Sequence, residues 1–126
     1  MLCHVESVLP DAESMLVTMQ LATAAMQEYD YEQASFWGYM WLEDLETVKE
    51  SALACPLPAD ELLLKARSDL LAALDEMTEA ANHGKRGIQL LDPDEFLNAA
   101  RHMERGQALI ESSTDALNAY RAQKGF

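Results

Sequence analysis

Three histidines, His4, His83 and His102, are the side chains best suited to move a proton or hold a metal near neutral pH. A di-iron helical bundle needs Glu-x-x-His on two helices, but the residues three before His83 and His102 are Ala80 and Ala99. HExxH and EF-hand patterns are missing too, so the sequence predicts no metal and no cofactor. His83 precedes Gly84, which suits the left-handed position after a helix, where the helix dipole favours an imidazolium. It is expected to be structural, and His102, between Arg101 and Met103, to be structural or exposed.

Other reactive types are equally unforthcoming. The stretch HGKRG, residues 83–87, sets Lys85 and Arg86 between two glycines, but it lacks the G-x-x-x-x-G-K-[ST] pattern of a phosphate loop. It reads as a basic turn balancing Asp75 and Glu79. Carboxylate pairs four residues apart, Asp75 with Glu79 and Glu46 with Glu50, do acid and base work only where burial separates their pKa values. Both pairs fall on polar faces, and no catalytic residue is assigned. Cys3 and Cys55 have no Cys or His at metal-ligand spacing. Reduced thiols are expected, with Cys55 a small apolar residue at a helix end; a disulfide or a reactive thiol is the alternative.

The elements that must position these residues are helical. A chain of 126 residues with 49% hydrophobic and 25% charged residues suits one globular domain. Punctuation at LPDAES, at CPLPADE (55–61) and at HGKRGIQLLDPDE (83–95) divides it, with Asp92, Pro93 and Glu95 as N-cap, N1 and N3 of the last helix. Between these marks, apolar residues recur at 3-4 spacing. The stripes run Ala12 to Tyr29, Ala34 to Ala52, Leu63 to Ala81 and Phe96 to Tyr120. No segment alternates long enough for a strand. A capping box from Asp30 to Gln33 separates the first two stripes, one kinked helix being the alternative. The prediction is an all-α, four-helix bundle-like single domain, with helices near 11–29, 31–54, 59–83 and 93–122. In the last stripe Ala99, Gly106 and Ser113 alternate with Phe96, Met103, Ile110 and Leu117, leaving a shallow seam for close helix packing.

Charge and aromatic content are unevenly placed. The formal net charge is −13; residues 1–63 carry twelve acids and one base, residues 64–126 ten acids and eight bases. This field disfavours nucleic acid, whose binding needs Lys and Arg, and suits a partner with a basic surface. Six of the nine aromatic residues lie in YDYEQASFWGYMW, residues 29–41, and those from Phe36 to Leu42 point all around a helix. Trp37 and Trp41 fit the core stripe; Phe36, Tyr39 and Met40 are surplus. Another part of the chain, a second copy in a homodimer, or a different protein could cover them.

The first expectation is a non-enzymatic interaction module, a regulator, inhibitor or adaptor. It would contact another protein through Phe36, Tyr39, Met40, Glu43, Asp44 and Glu46. Homodimerisation and a cytoplasmic location are expected, with no secretory signal and no membrane span. The alternatives are a small helical ligand- or metal-binding enzyme with a pocket near Trp37, Trp41 and His102, and a purely structural homo-oligomer.

Overall fold

The computed structural model describes residues 8–125. Four helices follow one another: α1 (Leu9–Gln27), α2 (Tyr31–Ala54), α3 (Glu61–Leu90) and α4 (Pro93–Lys124). The fold is an all-α, four-helix bundle-like arrangement. None of the helices is long and apolar enough to cross a membrane.

Each break has a local cause. Asp30 caps α2 by accepting the Gln33 N–H at 3.2 Å, while its own N–H goes to the Ala25 carbonyl, so one half of the expected box forms. Tyr29 takes φ 57 and is 79% exposed, so the first stripe ends at Met26 rather than at Tyr29. Asp60 caps α3 by accepting from the N–H groups of Leu62 and Leu63. Asp92 caps α4 through the Asp94 N–H, with Pro93 in the first turn. α1 starts at Leu9 with Pro10 in its first turn; Asp11 accepts a hydrogen bond from the Ser51 hydroxyl of α2 at 2.5 Å.

The largest departure from expectation is the end of α3. Gly84 does not stop it: the helix continues through HGKRG to Leu90, and Leu91 takes the left-handed cap at φ 51. The cause is visible at Gly87, which is buried against the Phe96 ring so closely that a Cβ there would lie 2.6 Å from Cε1. Extending α3 brings Gly87 under Phe96. The predicted basic turn is therefore helix, and His83 lies in its interior rather than at its end.

Consecutive helices pair closely along their backbones, α1 with α2, α2 with α3 and α3 with α4. Cross-helix bonds run in opposite senses: Ala66 with Ser113, Glu76 with His102 and His83 with Glu95 make α3 and α4 antiparallel. The seam predicted for α4 forms: Gly106 and Ser113 are buried, and a Cβ on Gly106 would meet Met77 Cγ at 3.0 Å. The core joins Met15 and Met19 of α1 to Trp41, Leu45 and Val48 of α2 and to Leu74 and Met77 of α3. Burying a side chain of this size contributes about 1.5–3 kcal/mol, so these positions supply much of the fold's stability.

Cys55 corrects the thiol expectation. It is buried just after α2 and is disulfide-bonded; the sequence has one other cysteine, Cys3, which lies outside the described residues. Its carbonyl accepts from the Arg67 guanidinium at 2.9 Å, tying the α2–α3 connection to α3.

Candidate functional site

A cavity of about 450 Å³ sits where α1 ends and α4 begins, and all four helices line it. α1 contributes Ala22 and Met26, α2 Gly38, Tyr39 and Trp41, α3 Ala81, Gly84 and Ile88, and α4 Phe96 and Met103. The walls are apolar because the 3-4 stripes of four helices converge there. Exposed Ser35, Lys85 and Gln89 bring polar groups to its edge.

Two features of this cavity are costly for a protein at rest. Gly38 and Gly84 lie inside helices, where each costs about 1 kcal/mol relative to alanine. Nothing lies within 4 Å of the Cβ that either could carry, so packing against the chain explains neither. Among the described residues, the one buried side-chain polar atom without a hydrogen-bond partner is Nε1 of Trp41, a wall residue that is 5% exposed. An unpaired buried donor costs about 1–3 kcal/mol.

The expected pocket residues divide. Trp41 lines the cavity, whereas Trp37 and His102 do not. Trp37 is half-buried and meets Phe36 edge-on at 4.9 Å. Of the expected partner residues, Phe36 and Tyr39 are exposed, at 54% and 61%, and Met40 is half-buried. Tyr39 belongs both to the cavity wall and to a shallower cleft between α2 and α3 that includes Glu43, Glu46 and Lys49. Asp44 turns instead toward α1, accepting from the Thr18 hydroxyl at 3.0 Å.

A second constellation lies on the α3–α4 seam. Glu95 does not close a capping box: its carboxylate is 2.6 Å from Nδ1 of His83. Reciprocally, Glu76 is 2.6 Å from Nδ1 of His102. An ionised carboxylate only accepts, so each Nδ1 carries the proton of its bond. The two imidazoles stack at 5.2 Å between centroids and 10° between planes. Glu79, one turn before His83, has its carboxylate 3.9 Å from His83 Nε2. Sequence reasoning missed this cluster because it tested three-residue Glu–His spacing and placed His83 at a helix end. The usable signal was Glu79 four residues before His83.

Comparison of the chain with protein-family models, curated proteins and solved structures gives no match.

Proposed function

We propose that this protein binds a small amphiphilic molecule in the four-helix cavity, an apolar body carrying an anionic or other acceptor group. The observation that carries the reading is the cavity itself, an apolar space walled by all four helices. The buried Nε1–H of Trp41 has no partner at rest, and a shift of that indole on binding would bring it to a ligand acceptor, since buried polar donors in folded proteins nearly always have a partner. The two open glycines supply room, and about 450 Å³ suits a small organic ligand. Lys85 at the edge gives an otherwise acidic protein a cation for the ligand's head group.

Titration with anilinonaphthalene sulfonate, an apolar body with one anionic group, tests this through probe and tryptophan fluorescence. Saturable binding of one molecule per chain, displaced by decanoate, is expected. Gly84→Leu fills the cavity from a position with open space and should weaken binding at least about tenfold, or 1.4 kcal/mol. An unchanged affinity in Gly84→Leu, with the circular dichroism of the wild type, would overturn the reading.

A second reading keeps the interaction expectation. Exposed Phe36 and Tyr39 adjoin Glu43 and Glu46, a pairing of aromatic and acidic surface that fits a protein segment both basic and apolar. A second copy of the chain is the competing occupant. Light scattering separates them: a stable mass of twice 14.1 kDa that Phe36→Ala reduces to one chain assigns the surface to self-association. A monomer at every concentration leaves it to the basic partner.

A further inference from the structure

We propose that Glu79, His83 and His102 form a binding site for a divalent transition-metal ion of the zinc type, with Glu95 and Glu76 as its outer carboxylates. One ligand atom from each of the three residues lies within 4.8 Å of the other two. Ligands at about 2.0–2.1 Å around a tetrahedral metal stand roughly 3.3 Å apart, so closure requires shifts of order 1 Å. Glu79 can supply much of that movement, because its side chain is 55% exposed and free to change rotamer. The donor set, two imidazoles and one carboxylate, suits zinc, cobalt or iron rather than calcium or magnesium.

The outer carboxylates distinguish this cluster from a chance gathering of acids. A metal-bound histidine characteristically donates its second ring N–H to a carboxylate, which fixes the tautomer and raises the basicity of the ligating nitrogen. Here both histidines make that bond through Nδ1, and in both the neutral ring then presents Nε2 as a lone pair. Each pair bridges the two helices, His83 of α3 to Glu95 of α4 and His102 of α4 to Glu76 of α3. The seam thus holds both rings together, nearly parallel and 5.2 Å apart between centroids. Three protein ligands with an exposed carboxylate among them also leave a position open to water.

Zn²⁺ titration of the full chain by calorimetry, without reductant so that the disulfide is preserved, should give one ion per chain. Co²⁺ should produce a visible spectrum that Zn²⁺ abolishes, and Ca²⁺ should compete with neither. His102→Asn and Glu79→Gln each remove a ligand and should weaken Zn²⁺ binding by more than the outer substitution Glu76→Gln, for which a 10–100-fold loss is expected. In the unaltered protein, Zn²⁺ should shift the nitrogen resonances of His83 and His102 at Nε2, a readout independent of whether any variant folds. Undisturbed Nε2 resonances at saturating Zn²⁺, or equal affinity in folded His102→Asn, would overturn the site. These measurements do not involve the cavity, so they stand or fall separately from ligand binding there.

Discussion

Three helical glycines, identical in sequence terms, have opposite consequences in space. At Gly38 and Gly84 an added Cβ meets nothing within 4 Å, so alanine should recover helix propensity, raising stability by about 1 kcal/mol at each site. At Gly87 the same methyl would sit 2.6–2.9 Å from three ring atoms of Phe96. Displacing the ring costs about 1–3 kcal/mol as overpacking, more than the propensity gain, so Gly87→Ala should lower stability. Urea unfolding of the three variants checks both signs, and a stabilised Gly87→Ala would contradict the observed packing. Asp69 offers a different residue-scale test. The Lys65 ammonium and then the Ser112 hydroxyl bond its carboxylate and hold its pKa below the ordinary 3.8, against the opposing effect of burial. A depressed folded pKa means that the unfolded chain binds the proton first. The stabilisation is therefore complete above about pH 3.8 and is lost as pH falls through the lower folded value. Relative to Asp69→Asn, the wild type should keep a constant advantage at neutral pH that narrows only in acid.

At the scale of the helix, what was legible in the sequence is what local chemistry decides. Asp30 and Asp92 cap the helices that follow them, and the stripe from Ala34 to Ala52 is buried except at half-buried Trp37; Asp60, expected inside a helix beginning near residue 59, is instead the cap of α3. Asp60 accepts from two N–H groups, so Asp60→Ala should cost about 1 kcal/mol and raise hydrogen exchange first at Leu62 and Leu63. The end of α3 was illegible because Gly84 is a good helix stop locally, and only the partner helix reveals why the chain continues. Phe96 docks on Gly87, within the additional turns of α3. That contact has no signature in the sequence, since it joins residues on different helices. The same limit hid the histidine cluster: Glu79 and His83 share a face at i,i+4, but His102 arrives from α4. The aromatic stretch was legible as a surplus, whereas its division between cavity wall at Tyr39 and Trp41 and surface at Phe36 required the fold.

For the whole molecule, the pairing pattern makes two antiparallel hairpins, α1 with α2 and α3 with α4, joined chiefly through α2 and α3. α1 has close backbone contact with α2 alone among the described helices, and no charged pair links it to α3 or α4. The first half also carries twelve of the chain's 22 acids against one base, so like-charge repulsion is concentrated on that hairpin. Opening α1 should therefore cost less than opening the α3–α4 hairpin, and native-state hydrogen exchange should be faster in α1 than in the buried turns of α3. The cavity lies between the ends of both hairpins, with Ala22 and Met26 on one side and Phe96 and Met103 on the other. A ligand there contacts all four helices only when the hairpins are docked, and it must stabilise that state by mass action. At a ligand concentration of about 100 times Kd the gain is about 2.7 kcal/mol, which should slow exchange most around Ala22 to Met26, where opening is cheapest. Protection confined to α3 and α4 would place the ligand on the second hairpin alone and reject binding between the two. Zn²⁺, acting on the α3–α4 seam, should give that second pattern, so the two sites can be told apart in one experiment by which helices become protected.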